Sequence, residues 1–227
     1  MNQAGLKFPA KVPDKAALAR VGALVRKRLS ANPAAYEIAS GKAEIFAVGD
    51  FMSADECARM ITLIDATAEP SKAFDSEYAQ AYRTSYSGDV DPWDPFVMKI
   101  QRRIDDLLAL PPEYGETVQG QRYLPGQEFK NHFDWFHPNS SYWAAENKRG
   151  GQRSYTAMVF LNEVEEGGTT DFPSLGLSIT PKQGVLLAWN NATAQGAPNE
   201  WVLHAGMPVI RGVKYIITKW YRTRKWG

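Results

Sequence analysis

Alanine, leucine and valine recur three and four positions apart through residues 14–29, with lysine and arginine between them. This pattern predicts an amphipathic helix opening just after Pro13. A strand is expected over residues 43–51. Ser53-Ala54-Asp55-Glu56 then forms a capping box, in which the serine and glutamate side chains satisfy free amides at the start of a helix running to Ala66. A third helix over residues 93–108 puts Phe96, Val97, Ile100, Ile104 and Leu107 on one face, and Pro111-Pro112 ends it. After Glu116 the period shortens. Runs rich in Val, Ile, Tyr, Phe and Thr, separated by Pro-Gly, Gly-Gly and Asn-Asn turns, predict strands at 117–124, 129–136, 154–161, 177–180, 184–189, 201–205 and 214–222. Helices followed by many short strands make an α+β chain with a double-sheet, jelly-roll barrel and N-terminal helices packed on one sheet. Residues 137–149, polar and rich in Asn and Ser, are expected to form a mobile loop.

Composition narrows the functional classes. The chain has 227 residues, 44% hydrophobic and 22% charged, enough for one sizeable core or a core with a helical annex. A formal net charge of +1 without a Lys/Arg run argues against a nucleic-acid partner. One cysteine, Cys57, allows no internal disulfide, and it reads as a small buried hydrophobe in a helix. No run is apolar for long enough to span a bilayer, and residues 1–5 lack the basic-then-apolar order of a signal peptide, so the expectation is no membrane partner and a cytoplasmic location.

The chemistry concentrates in two of the three histidines. His132 and Asp134 lie two apart in an expected strand, where alternate side chains face one way, and His204 follows in Leu203-His204-Ala205-Gly206. Two imidazoles and one carboxylate on one face of a ferrous ion leave the other face open. An H-x-D pair alone is more often a solvated surface pair. Two histidines and an aspartate would also serve a zinc hydrolase, or survive in a non-catalytic peptide-binding module. Gly167-Gly168 predicts a turn with positive φ, because no phosphate-loop lysine or helix start follows it.

From about Glu44 onward the chain resembles the catalytic domain of the prolyl 4-hydroxylases, iron(II)- and 2-oxoglutarate-dependent dioxygenases. The resemblance rests on Asp55-Glu56-Cys57, Arg83-Thr84-Ser85, Glu116, Tyr123 to Gln127, His132-Phe133-Asp134, Gly151-Gln152-Arg153 with Thr156, Gly167 to Pro173, and His204-Ala205-Gly206 through Pro208, Gly212, Lys214 and Trp220. It implies a double-stranded β-helix catalytic domain over residues 44–227. The helical extension over residues 1–43 lies outside the resemblance, and covering the sheet or mediating a homodimer are both open to it.

The same resemblance implies roles. His132, Asp134 and His204 would be the iron ligands and catalytic residues. Lys214 would meet the distal carboxylate of 2-oxoglutarate through a charge-assisted hydrogen bond. Tyr123, Thr156 and Trp220 would line the co-substrate pocket, and Arg153, Arg83 and Trp135 would contact substrate. Read as ordinary residues, Tyr123 and Trp220 would be core, Thr156 a plain strand residue and Arg153 a surface one. His137 reads as solvated. The segment 71–93 resembles one that closes over a substrate in relatives. The implied reaction is hydroxylation of a prolyl residue in a peptide or protein, consuming dioxygen and 2-oxoglutarate, releasing succinate and CO2, with ascorbate as an accessory. Another side chain or a small molecule is the alternative substrate. One departure stands out: relatives carry a tyrosine three residues before the first histidine, and this chain has Phe129.

Overall fold

Alternate residues of the long central strands face two different cores, which is why hydrophobicity runs through them almost without a break. The structure, a computed structural model, describes residues 13–38, 41–71 and 82–227. Its largest sheet is antiparallel, in the order β1 (Ala35–Glu37), β2 (Ile45–Val48), β11 (Leu186–Asn190), β7 (Arg153–Phe160), β14 (Lys214–Arg222), β5 (Gln119–Tyr123), β4 (Tyr86–Gly88) and β3 (Ala68–Pro70). A second sheet runs β10 (Leu177–Ile179), β9 (Thr170–Phe172), β12 (His204–Gly206), β6 (Phe129–His132), and β13 (Val209–Arg211) pairs with β8 (Glu166–Gly167).

On the outer face of the large sheet, Phe46, Ala157, Val159, Ala188, Ile217 and Tyr221 pack against three helices. Val25 and Leu29 come from α1 (Lys15–Ser30), Met60 and Ile64 from α2 (Ala54–Thr67), and Ile100 and Ile104 from α3 (Pro95–Leu108). On the inner face, Ile45, Met158, Phe160, Leu187, Trp189 and Ile216 meet Phe172 of the second sheet. This is the expected double-sheet core with helices on one side. Along β14, Lys214, Ile216, Thr218 and Trp220 line inner cavities, while Lys219 and Tyr221 reach the helices and both donate to Asp105 of α3, at 2.5 and 2.6 Å.

The local signals held at the helix starts. Ser53 Oγ accepts from the Glu56 amide and Glu56 Oε2 from the Ser53 amide, at 3.2 and 3.1 Å, completing the box. Glu56 also accepts from Nη1 and Nη2 of Arg103; that pairing, opposed by burial, holds its carboxyl down to about 2. Ser53→Ala is expected to lower stability by about 1 kcal/mol, read as a small downward shift in the thermal melt. Helix α3 starts two residues later than expected because Asp94 caps it, accepting from the Phe96 and Val97 amides with Pro95 in the first turn. At the predicted turn, Gly167 and Gly168 have φ of 77° and 66°, and a Cβ on Gly167 would lie 2.4 Å from the Pro208 carbonyl oxygen.

Three expectations are corrected. The strand predicted for residues 129–136 stops at His132, leaving Asp134 beyond the ladder. The strand predicted for 201–205 is a 3-10 turn, Glu200–Val202, followed by β12. Residues 137–149 contain a helix, α4 (Trp143–Lys148), because Glu146 is drawn inward to Arg222 rather than solvated. The segment 71–93, read as a closing loop, contains a strand, β4, which pairs with β3 and β5. Its residues 72–81, like the first twelve of the N-terminal extension, lie outside the described residues. The described part of that extension is built into the same body: β1 pairs with β2, and Leu18, Val25 and Leu29 are fully buried. No helix among the described residues is long and apolar enough to cross a membrane.

Candidate metal centre and its two cavities

Antiparallel pairing of β6 with β12 sets His132 directly opposite His204, their ring centroids 4.2 Å apart. Each imidazole is turned by its own backbone. His132 Nδ1 lies 2.7 Å from the Lys130 carbonyl oxygen and His204 Nδ1 2.9 Å from that of Val202. A carbonyl only accepts, so each Nδ1 carries the proton and each Nε2 keeps a free lone pair. Asp134, two residues past His132, brings Oδ2 to 3.7 Å from His204 Nε2. One ligand atom from each of the three residues lies within 4.8 Å of the others. Burial first, then the neighbouring His204 ring, push the His132 imidazole well below its ordinary value, so it is a neutral base near pH 7. Two neutral nitrogens and one carboxylate oxygen are a donor set that suits ferrous iron and leaves positions open. His137, half-buried, is outside this trio.

Lys214, at the start of β14, is 1% exposed. Its Nζ reaches Thr170 Oγ1 at 3.2 Å and the Thr169 carbonyl at 3.5 Å, and it has no carboxylate partner among the described residues. Asp171, the acid that acts on it electrostatically, is engaged by Thr169 and Ser178. Burial, only partly offset by Asp171, lowers the Lys214 ammonium to about 7. A buried cation without a counter-ion is an unfilled half of an ion pair. It borders a cavity of about 30 Å³ walled also by Tyr123, Thr170, Trp189, His204 and Trp220. Tyr123, opposite Lys214 in the β5–β14 register, donates to Gln121 Oε1 at 2.7 Å.

A second cavity, about 880 Å³, opens on the other side of the trio between Arg83, Glu116, Trp135, Arg153 and Trp220. Phe129, His132, Asp134 and Trp220 wall both spaces. Arg153 is not a surface residue. It forks onto Glu116 at 2.6 and 2.8 Å, lies 4.0 Å over the Trp220 ring, and has Nη1 3.9 Å from Asp134 Oδ1. Arg222 takes the same Glu116 oxygen at 2.5 Å and Glu146 at 2.5 Å. Arg83 donates to Ser85, Ser87 and Gln119 and lies 4.8 Å over Phe129, whose ring stacks on His132 at 3.5 Å.

The expected residues therefore gather around the trio, with two qualifications. Thr156, read as a wall of the co-substrate pocket, instead donates to Asp134 Oδ2 at 2.7 Å, because its inward hydroxyl meets the carboxylate before it meets the cavity. Trp135 borders the large cavity, but its ring is largely spent on packing with Leu18, Phe133 and Ala192. Four residues escaped the sequence reading: Thr170, Asn191, Trp189 and Gln121. Thr170 sits inside a quoted motif, and the other three carry no spacing signal.

A family profile described as the 2OG-Fe(II) oxygenase superfamily matches residues 118–222. Prolyl 4-hydroxylase 2 of Arabidopsis thaliana is 30% identical over 215 residues, covering 83% of this chain and 70% of the relative. The crystal structure of a viral collagen prolyl hydroxylase from Paramecium bursaria Chlorella virus-1, in complex with 2OG, superposes with a TM-score of 0.60 at 27% identity, covering 78% of this chain and 94% of that one. A prolyl hydroxylase from Trichoplax adhaerens, 15% identical over 94% of both chains, shares the fold with a TM-score of 0.61. With the trio, the buried Lys214 that has no carboxylate partner among the described residues, and the two-sheet barrel in place, the chain belongs to the prolyl 4-hydroxylase family of 2-oxoglutarate- and iron(II)-dependent oxygenases.

Proposed function

We propose that this chain hydroxylates prolyl residues in a peptide or protein, with His132, Asp134 and His204 holding iron and Lys214 holding 2-oxoglutarate. The observation that carries the reading is Lys214, an unpaired ammonium buried beside a two-histidine, one-carboxylate trio. A zinc hydrolase needs no such cation, and the family assignment removes that alternative. Bound iron, with 2-oxoglutarate and dioxygen, supplies the oxidising power: the keto acid is split to succinate and CO2, and one oxygen atom enters a C–H bond of the substrate.

The chain's own residues bind and orient. Lys214 pairs with the distal carboxylate, and Thr170, already bonded to the lysine, offers its hydroxyl to the same group. Phe129, His132, Asp134 and Trp220 wall both cavities, so an extended dicarboxylate has a path from Lys214 to the trio. Trp220 Nε1 is buried without a partner among the described residues, a free donor for a ligand oxygen. Arg153 and Arg83 present guanidinium groups to the larger cavity, where substrate carbonyls can accept from them. The aromatic rings there give a proline ring apolar surface and keep water from the trio.

Anaerobic titration of the metal-free protein with ferrous iron and then 2-oxoglutarate should develop the visible metal-to-ligand charge-transfer band. Once air is admitted, proline-containing peptides should stimulate succinate release. A band without stimulation by any proline peptide would favour the second reading, an oxygenase acting on another group, for which Phe129 in place of the family tyrosine is the motivating departure.

A further inference from the structure

Each histidine of the trio is fixed twice, by the β6–β12 register and by its own Nδ1 bond to backbone. Asp134 has no such support from a strand, because β6 ends at His132. Its carboxylate is instead met by side chains. Thr156 Oγ1 lies 2.7 Å from Asp134 Oδ2, and Asn191 Nδ2 lies 2.9 Å from the same Thr156 oxygen. Thr156, Asn191 and Asp134 are 0%, 2% and 6% exposed.

The direction of this chain of bonds follows from proton counting. An ionised carboxylate only accepts, so the single hydroxyl proton of Thr156 points to Asp134. The threonine oxygen is then left to accept, and Asn191 must turn its NH2 toward it. A flipped amide would set Oδ1 against that oxygen with no proton between them. The consequence is visible at the other end: Asn191 Oδ1 is buried and unpaired among the described residues, so the amide keeps this orientation while leaving an acceptor unsatisfied. Both donors sit on rigid backbone. Thr156 is in β7, paired with Trp189 on one side and Trp220 on the other, and the Asn191 amide bonds to the Ser154 carbonyl just past β11.

We infer that Asn191 and Thr156 are positioning residues for the metal: Asn191 polarises and orients the Thr156 hydroxyl, and that hydroxyl fixes the rotation and basicity of the Asp134 carboxylate. Neither residue touches the ion. The inference rests on the trio being a metal site, and a metal-affinity measurement separates the two.

The test uses the full chain with Mn(II), free ion being read by electron paramagnetic resonance, and Co(II), whose visible bands report ligand arrangement. Thr156→Val, close in shape but without the hydroxyl, is expected to weaken Mn(II) binding by about 10- to 100-fold and to shift the Co(II) bands. Thr156→Ser keeps the proton and should bind within about threefold of the parent, less than the loss of one neutral hydrogen bond at its upper range. Asn191→Ala should weaken binding by roughly 2- to 10-fold in the parent, and by nothing further in Thr156→Val, because it acts only through that hydroxyl. Parent-like affinity in Thr156→Val overturns the inference, as does a Thr156→Ser as weak as the valine variant, or a full Asn191→Ala loss repeated in the Thr156→Val background. If the valine variant does not fold, Asn191→Ala decides alone, and unchanged affinity there overturns the proposal. Failure of the parent itself to bind Mn(II) or Co(II) overturns the trio reading and this inference with it.

Discussion

Lys214→Met is expected to weaken 2-oxoglutarate binding by about two to three orders of magnitude, the size of effect seen when one partner of a buried ion pair is removed. Methionine keeps most of the stem's volume, so the loss reports the charge. The unaltered protein should show a pH dependence whose sign follows from the lowered lysine. In the ligand-free pocket, burial, partly offset by Asp171, brings Lys214 to about 7. The carboxylate of a bound co-substrate raises that value again. Below about 7 the ammonium already exists, and this group adds no pH dependence. Above it, binding must draw in a proton, and the dissociation constant rises by up to about tenfold per pH unit while the bound lysine stays charged. Calorimetry with Mn(II) under argon, in buffers of different protonation heat, should show uptake approaching one proton at about pH 8.5 and almost none at about pH 6, a difference absent from Lys214→Met. Affinity that improves with pH above 7, or uptake that persists in the variant, would remove Lys214 from the role.

The second large effect lies in stability. Glu116 accepts from two buried guanidinium groups, Arg153 and Arg222. Glu116→Ala removes the shared carboxylate from both, leaving Glu146 and the Gly151 carbonyl to answer Arg222 and the more distant Asp134 to answer Arg153. A loss of about 3–5 kcal/mol is expected, which for a chain of this size lowers the melting midpoint by roughly 10 °C. Burial alone would raise the Glu116 carboxyl, but Arg153 and Arg222 outweigh it and hold it below its ordinary value of 4.5. Its contribution is therefore complete above that value and disappears as pH falls through the lowered one. The gap in melting midpoint between parent and variant should be full near neutrality and close in strong acid. A variant that melts with the parent at pH 7 would show that these charges are solvated rather than paired.

How much of this was readable beforehand depended on whether a residue's role is local. Ser53 with Glu56, Gly167-Gly168 and the apolar face of α3 act through neighbours a few positions away, and they were found. The gathering of His132, Asp134, His204 and Lys214 is legible through motif order, although a shared strand face for His132 and Asp134 does not hold. Strand β7 reads Arg-Ser-Tyr-Thr-Ala-Met-Val-Phe with every residue buried, so no polar face marks its period and its two cores stay hidden. Glu146 looked like one more charge in a polar run. Only Arg222, 76 residues away, makes it a buried anchor and turns the expected loop into α4. Asn191 reads locally as half of an Asn-Asn turn, and its bond to Thr156 spans 35 residues. Polar residues buried by long-range partners leave no periodic trace, and here they form much of the centre's support.

Strand β14 is a ribbon written in two alternating alphabets. One set of positions, Lys214, Ile216, Thr218 and Trp220, borders the ligand spaces, while Lys219 and Tyr221 belong to the Asp105 clamp on α3. For directed evolution this means Ile216 and Thr218 can be randomised to reshape the smaller cavity while Lys214 is kept and the clamp and helical layer stay intact. Insertion or deletion of a single residue has the opposite character: it turns every residue on one side of the change to the other face, so that cavity positions point at the helices and clamp positions point into the barrel. The strand is thus open to substitution and closed to changes of length.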